Sequence, residues 1–496
     1  MLICGLDIGT TGCKISAFSE IDGAFLGSVY TEYDVERSGG YHELDAYGVF
    51  CAVKGLMRQI TDKYGEIRAL GVTSLGESFV ALDENDNMLH RAMIYTDVRG
   101  EEECKSLCEA LGEEKISRTV GAKPHTMFSI PKLAWLKNNK PEIFNKAVYF
   151  PLMQDYIVYM LTGVKQIDYS LAARTMGFDL KNKCWWEEIF TAAGLDSSKM
   201  STPVPTGTPA GKIKPEIAAE LGISADTLIV TGCQDQIGAV IGSGVLSGGT
   251  AMLGMGTVAC VPVVLEKMPE DMAFYDAGYS VVPHPNGKNY VCYALSYACG
   301  SMLKWFRDNI VSLEAKLAAE KGENIYKTLD MRAPKEPTGL LVLPYFSGAA
   351  TPYMDVEAKG AILGLTLETT TDDLYKAFME GVAYEMKLNL LELKKYGICV
   401  SSVVATGGGA SSKVWLDIMS NTLKVPVTAL KGAEIGAAGT AILAGIAAGV
   451  YKNIEEMNAK MTEVGRVFEP DKISAEAYDK LFENYRKVYA AVRPLG

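Results

Sequence analysis

The sequence predicts an α/β protein built twice over, as two similar domains meeting near residue 244. Three observations predict it. The chain has 496 residues, more than a single hydrophobic core comfortably serves. Short β-like runs give way to alternating strand and helix patterns, the sign of a sheet with helices on its faces. The opening Leu6-Asp7-Ile8-Gly9-Thr10 also has a counterpart near the midpoint, Leu253-Gly254-Met255-Gly256-Thr257.

Leu2 to Ile8 is an apolar run, Lys14 to Phe18 alternates, and Ala24 to Tyr33 is rich in Phe, Val and Tyr. Gly9-Thr10-Thr11-Gly12 and Glu20-Ile21-Asp22-Gly23 separate them as turns, so the three read as an antiparallel meander. Ala69 to Ser74 and Phe79 to Leu82 follow as strands, Asp83 to Asn87 as a turn, and Pro141 to Thr162 as one helix. The second half repeats the opening: Thr250 to Gly254 and Val258 to Val264 are strands joined at Gly256-Thr257, followed by Tyr279 to Pro283 and Tyr290 to Leu295. The Gly/Ser-rich stretch Gly242 to Gly249 marks the boundary, giving domains 1–244 and 245–496. Two later helices show packing faces at helical spacing: Glu380 to Lys395 through Ala383, Met386, Leu390 and Leu393, and Ala475 to Val492 through Ala477, Leu481, Tyr485, Val488 and Val492.

Charged residues are 22% and hydrophobic residues 48% of the chain, ordinary for a soluble globular protein. A net charge of −12 argues against a nucleic-acid partner, because phosphate backbones are held by clustered Lys and Arg. Met1 to Asp7 lacks the basic start and long apolar run of a signal peptide. The most apolar long segment, Gly436 to Val450, is dominated by Ala and Gly and is too short to span a bilayer, so no membrane partner is expected. Eleven cysteines without framework spacing suit a reducing, cytoplasmic setting. Cys104 and Cys108 can share a helix face but lack further metal ligands nearby, and His42, His90, His125 and His284 form no paired pattern.

Chemistry concentrates at strand ends. Asp7 to Lys14 combines a tight glycine hairpin, whose backbone N–H groups can cradle an anion, with two hydroxyls and a lysine for phosphate oxygens. Asp7 stands at the hairpin mouth, where a carboxylate can hold Mg²⁺ directly or through water. The competing reading is a plain Gly-Thr turn with a solvated lysine. No Walker loop is present, since GxxxxGK followed by Ser or Thr is missing. Gly254 to Thr257 repeats the hairpin logic. Val403 to Ala410 is a strand ending in Gly407-Gly408-Gly409 before a helix from Lys413 to Leu423. A Rossmann site would need glycine where Ser412 stands, and close approach of an adenosine explains the glycines equally well. Asp235 follows the strand Thr227 to Val230, at the sheet edge where open α/β folds bind ligands. Phosphoryl transfer to an alcohol needs such a carboxylate to take the hydroxyl proton, and capping of the next helix is the rival role. Gly76-Glu77 and Tyr95 to Arg99 place further polar groups after strands, where they suit sugar hydroxyls.

In this order the segments resemble the FGGY family of carbohydrate kinases, of xylulokinase or glycerol-kinase type, over nearly the whole chain. The likeness extends to Pro131 to Leu136, Asp155-Tyr156, Leu161-Thr162-Gly163, Pro344 to Gly348, Pro352, Asp355, Gly360 and Glu434 to Ala444. The resemblance implies two actin-like, ribonuclease-H-like domains with a cleft between them: an N-terminal sugar-binding and catalytic domain, and a C-terminal nucleotide-binding one. It implies an ATP- and Mg²⁺-dependent enzyme that phosphorylates a hydroxyl of a small sugar or polyol, and it admits a homodimer. Carried over by position, Asp235 is the catalytic base, and Thr10, Thr11, Lys14, Gly256 and Thr257 form the phosphate shell. Asp7 is the Mg²⁺-side carboxylate, Gly300, Gly408, Gly409 and Ser412 hold the nucleoside, and Gly76, Glu77, Asp97, Asp235 and Gln236 meet the substrate. The sequence departs from the family where glycerol kinases have Arg-Glu and xylulokinases Met-His, having Gly76-Glu77 instead. It also lacks the usual Trp at Tyr95, the usual Ser at Gly254 and the common Gln at Asp417. Glu77, Asp97 and Asp235 are expected to line one pocket, whose carboxylates suit a neutral ketose or polyol, such as a pentulose, over a sugar acid. A kinase for glycerol or a sugar acid is one alternative, and a non-catalytic sensor of ATP and sugar on the same fold another; the presence of Asp7, Lys14, Thr257 and Asp235 together speaks against the sensor.

Overall fold

The computed structural model describes residues 1–431 and 434–495, in two compact units. The first joins Met1–Leu246 to Ser280–Tyr290 and Glu434–Thr462; the second comprises the other described residues. The expected boundary at 244/245 lies close to the first crossing, but the units are not contiguous halves. The late segment returns because its helix is shaped to lie on the first unit's sheet.

Both main sheets follow one plan. In the first unit the strands are β1 (Leu2–Ile8), β2 (Gly12–Ser19), β3 (Phe25–Glu32), β4 (Ile67–Ser74), β5 (Thr208–Lys212) and β6 (Leu228–Gln234). They lie in the order β5-β6-β4-β1-β2-β3. β1, β2 and β3 form an antiparallel meander, β4 pairs parallel with β1, β6 parallel with β4, and β5 closes the edge antiparallel. β1 is central and buried on both faces, which is why it reads as a continuous apolar run. The second unit's strands are β7 (Thr250–Met255), β8 (Ala259–Leu265), β9 (Tyr290–Ser296), β10 (Ser402–Thr406), β11 (Val427–Lys431) and β12 (Glu463–Phe468), in the order β9-β8-β7-β10-β11-β12. Again the opening hairpin is antiparallel, β10 pairs parallel with β7, β11 parallel with β10, and β12 antiparallel at the edge. The duplication suggested by two short motifs is therefore a duplication of topology.

The helix Ile435–Ala447 packs on β1 and β4 at backbone distance. Gly5 and Gly71 are register partners in those strands. A Cβ on Gly5 would stand 2.2 Å from Ala437 O, and one on Gly71 2.6 Å from Thr440 O. The same helix meets the helix Asp235–Gly242 just as tightly: a Cβ on Gly439 would fall 2.0 Å from Gly238 O. Thr73 Oγ1 and Thr440 Oγ1 share a hydrogen bond of 2.6 Å across the sheet face. The Ala/Gly composition of this stretch is thus a packing requirement. Among the described residues, no helix is long and apolar enough to cross a membrane.

Two helical expectations are corrected. Pro141 to Thr162 is not one helix but Pro141–Lys146 and Met153–Thr162. Pro151 cannot donate a helical hydrogen bond. The segment between instead pairs with the strand Ala81–Leu82, with Leu82 N to Tyr149 O at 3.0 Å and Val80 N to Pro151 O at 2.8 Å. The last helix, Lys472–Val492, buries Ala475, Tyr478, Phe482, Tyr485 and Val488, so Ala477, Leu481 and Val492 lie off its core face. Its tyrosines decide the rotation: Tyr478 and Tyr485 donate to the buried Glu380 and Glu385 at 3.2 and 2.6 Å. The other stripe belongs to a longer helix, Thr371–Lys395, which starts at a Thr370/Asp373 capping box.

The glycine contacts make a direct prediction. Gly439→Ala should destabilise the protein by roughly 1–3 kcal/mol, the usual effect of overpacking. Gly436→Ala, whose Cβ would meet nothing within 4 Å, should be neutral or stabilising by up to ~1 kcal/mol. Urea midpoints of the two variants measure the difference; equal midpoints would remove the close approach as a constraint.

Candidate active site

The first hairpin is a braced loop. Gly9 N donates to Gly12 O at 2.9 Å, and the Tyr33 hydroxyl donates to the carbonyls of Gly9 and Gly12 at 2.6 and 3.0 Å. Among the described residues, no hydrogen bond reaches the amides of Thr10 or Thr11 at its tip. Lys14 sits opposite Asp7 in the β1–β2 register and pairs with Glu434 at 2.7 Å. Ser16 Oγ donates to the same carboxylate at 3.0 Å. Lys14 is therefore a half-buried, partnered cation and not a solvated one. Burial, reinforced by the Glu434 charge and opposed by Lys14, raises the Asp7 carboxyl above the usual carboxylate range.

Asp235 opens the helix Asp235–Gly242, directly after β6. Its Oδ1 accepts from Gln236 N at 2.6 Å and from the Gln234 side-chain amide, while Oδ2 makes no hydrogen bond among the described residues. The N-cap is Gln234, so Asp235 is not the capping residue. Burial pushes its pKa up to about 7, helped by the negative charges of Asp7 and Glu77 and opposed by Arg174. Gln236 contributes its backbone amide to this cluster.

Glu77 follows β4, is buried, and adopts a left-handed φ of 65°. Arg174 Nε donates to Glu77 Oε1 at 2.6 Å, and the guanidinium stacks on Phe128 at 5.1 Å. A side chain at Gly76 would meet the Arg174 stem at 3.3 Å. Tyr95 belongs to the same group: its hydroxyl lies beside Thr10 and feels both Glu77 and Asp235. Arg174 and Glu434 were not identified from sequence as site residues. Arg174 stands in a short turn, Ala173–Thr175, with no motif around it.

Asp97 does not join this cluster. Both its oxygens are taken, by Arg99 Nε at 2.8 Å, Arg99 NH2 at 2.6 Å and His42 N at 2.7 Å. Arg99 also pairs with Glu43 at 2.7 Å and stacks on Tyr41 and Trp135. The expectation that Asp97 lines a pocket with Glu77 and Asp235 fails because Arg99 turns it into a buried structural pair.

In the second unit, Gly300 N donates to Gly256 O at 2.8 Å, and a Cβ on Gly300 would clash with that oxygen at 2.7 Å. Thr257 O accepts from Cys299 N at 3.0 Å and Ser301 Oγ at 2.9 Å. Gly407 and Gly409 fold tightly around Met255 at the end of β7, whereas a Cβ on Gly408 would meet open space. Ser412 caps the helix Lys413–Leu423 by accepting from Trp415 N at 3.1 Å. The glycines thus seat the β10 loop on the second hairpin and leave open space at Gly408. Among the described residues, no group of three or more His, Cys, Asp or Glu is arranged as a metal site.

Residues 2–242 match the N-terminal domain, and residues 251–448 the C-terminal domain, of the FGGY family of carbohydrate kinases. The chain is similar to the xylulose kinase of Staphylococcus epidermidis, with 26% identity over 500 residues covering 100% of this chain and 97% of that protein. It is similar to the gluconokinase of Bacillus subtilis, with 29% identity over 492 residues covering 96% and 93%. The crystal structure of a ligand-bound xylulose kinase from Lactobacillus acidophilus matches with a TM-score of 0.89 and 25% identity, over 99% of this chain and 98% of that one. The fold is accordingly of the actin-like, ribonuclease-H-like type.

The reassignment of Asp97 has a measurable consequence. Asp97→Asn leaves the buried Arg99 with Glu43 as its carboxylate partner and should lower stability by about 1.5–3 kcal/mol, as loss of hydrogen bonds to a charged group does. A urea midpoint left unshifted by this change would return Asp97 to the candidate ligand-binding groups.

Proposed function

The chain belongs to the FGGY family of carbohydrate kinases, and from that premise we propose that it transfers the γ-phosphate of ATP to a hydroxyl of a small neutral sugar or polyol, a ketose such as a pentulose foremost, with Asp235 as general base. The environment of Asp235 carries this reading: one carboxylate oxygen is uncommitted, and the pKa is lifted to about 7. A base works best when its pKa lies near the working pH, because it is then both ionised and able to keep the proton. In the reaction the substrate O–H bond breaks and its proton passes to Asp235. The hydroxyl oxygen bonds to the γ-phosphorus as the bond from phosphorus to ADP breaks.

Such a transfer depends on positioning and charge neutralisation more than on covalent chemistry. The first unit offers the amides and hydroxyls of Thr10 and Thr11, with Lys14, to phosphate oxygens. The second offers Gly256 and Thr257 to phosphate, and Gly300, Gly408, Gly409 and Ser412 to the nucleoside, Gly408 being the position with open space above it. Mg²⁺ fits Asp7, a buried carboxylate that raises the proton affinity of Asp235 and is only partly offset by Lys14. Asp7 would hold the ion, with phosphate oxygens and water completing its shell. When bound, the ion supplies neutralisation of phosphate charge.

The named relatives divide between a neutral ketose and a sugar acid. The neutral substrate is favoured because Arg174 and Lys132, the cations coupled to Glu77, and Arg99 at Asp97 already have protein partners. Arg174 holds Glu77, Arg99 holds Asp97 and Glu43, and Lys132 donates to the carbonyls of Thr126 and Met127 at 2.6 and 3.0 Å. A substrate carboxylate would meet Glu77 and Asp235 without a spare cation among these three. Glu77 and Gly76, with Gln236 next to Asp235, are left for neutral hydroxyls.

Asp235→Asn should cut turnover by roughly 10²–10⁴-fold with ATP binding retained; near-normal turnover would exclude it as the base. The acid limb of kcat/KM should lie near pH 7, with activity lost as pH falls and Asp235 gains its proton. Asp7→Asn removes a charge that raises this pKa, so its limb should move to lower pH whatever its rate; a limb that stays in place would separate the two carboxylates. A panel of pentuloses, polyols and gluconate in a coupled ADP assay tests substrate class, and gluconate as best substrate would overturn the neutral assignment.

A further inference from the structure

We propose that Arg174 is a positioning residue of the acceptor site: it clamps one oxygen of Glu77 so that the other is presented, in a single orientation beside Asp235, to hydroxyls of the substrate. The inference rests on the acceptor site described above and adds a residue and a role to it.

Four features support it. Arg174 Nε donates to Glu77 Oε1 and its NH2 pairs with the same oxygen, while Glu77 Oε2 makes no hydrogen bond among the described residues and stays reachable from solvent. An accessible carboxylate oxygen with no protein donor is free to accept a hydrogen bond, and a substrate hydroxyl is a fitting donor for it. The residue is also held in a left-handed conformation, φ 65°, which a non-glycine residue keeps only where its surroundings enforce it. Arg174 enforces it through the side chain, and Ser129 Oγ through the Glu77 carbonyl at 2.8 Å. Arg174 is itself fixed from behind by the Phe128 ring, and glycine at position 76 leaves room for its stem. Finally, the turn that carries it is tied to the base. Ser170, in the preceding helix Tyr169–Ala172, accepts from Gln234 N at 2.9 Å, one residue before Asp235.

The charged and titratable groups facing Asp235 are Asp7 from β1, Glu77 from the loop after β4, Arg174, Tyr95, and Cys233 from β6. Arg174 is the cation among them, so it also opposes protonation of Asp235. That gives the clamp two separable readouts, sugar KM and the position of the acid limb.

The experiment compares Arg174→Gln, Arg174→Lys and Gly76→Ala with the unaltered chain, measuring sugar KM, ATP KM, kcat, the pH profile and the melting temperature. Arg174→Gln should raise sugar KM on the order of tenfold or more, as loss of hydrogen bonds to a charged group does, with ATP KM unchanged and the acid limb moved to higher pH. Arg174→Lys should restore the limb, because the charge returns, but only part of the sugar KM, because an ammonium does not reproduce a planar two-donor grip. Gly76→Ala should press on the Arg174 stem and raise sugar KM by a smaller factor with the limb in place. A folded Arg174→Gln with sugar KM and limb as in the unaltered chain overturns the proposal. If that variant does not fold, unchanged sugar KM in both Arg174→Lys and Gly76→Ala overturns it instead. Failure of the base assignment is distinguishable, because it removes the limb near pH 7 from the unaltered chain and leaves the KM comparison intact.

Discussion

The first unit depends on how closely the helix Ile435–Ala447 lies against β1 and β4. Helix packing through ordinary side chains holds axes about 8–10 Å from their neighbours, but here carbonyl oxygens rest on Cα atoms of Gly5, Gly71 and Gly242. Any larger residue would lift the helix and with it Glu434, which precedes it and grips Lys14 and Ser16. The phosphate-type hairpin at the start of the chain is thus braced by a segment more than four hundred residues later. The first unit cannot close until that segment arrives, and long-range contacts of this kind slow folding.

Strand order then lines up the acids. β6, β4 and β1 are consecutive parallel neighbours, so their C-terminal ends lie side by side, with Ile8 opposite Ser74 and Ser74 opposite Gln234. Asp7 is on β1, Glu77 follows β4 and Asp235 follows β6. Three carboxylates meeting in a partly dehydrated place would repel one another and take up protons. Lys14 and Arg174 limit that repulsion without abolishing it, and burial, with the remaining negative charge beside it, raises the pKa of Asp235 to about 7.

Much of this was legible in the sequence where local chemistry decides. The meander, both hairpins, the strand before Asp235 and the position of Asp235 itself follow from apolar runs, glycine turns and polar residues at strand ends. What escaped was set by tertiary partners. Whether Asp97 faces a ligand or Arg99 depends on a rotamer two residues away, which no spacing rule encodes. Tyr485 and Val488 lie on the core face of the last helix as expected, but its earlier turns present Tyr478 and Phe482 instead of Ala477 and Leu481, because tyrosines that seek buried carboxylates outweigh leucine periodicity. The return of 434–462 to the first unit had a trace, the Ala/Gly run, but composition does not say which sheet such a helix approaches.

The duplicated topology also separates two ways of building a loop. In the first unit the hairpin is an electrostatic device, with a lysine, a carboxylate and amides whose hydrogen-bonding capacity is unspent. In the second unit the corresponding hairpin, Gly256 to Val258, carries no charged residue and is shaped by contact: Gly300 on Gly256, and Gly407 and Gly409 around Met255. Identical strand order therefore does not oblige identical chemistry. A charged loop needs a nearby countercharge, which the first unit obtains from Glu434 at the entry of a borrowed helix. Without such a partner, an uncharged glycine hairpin is the arrangement that leaves no buried charge uncompensated.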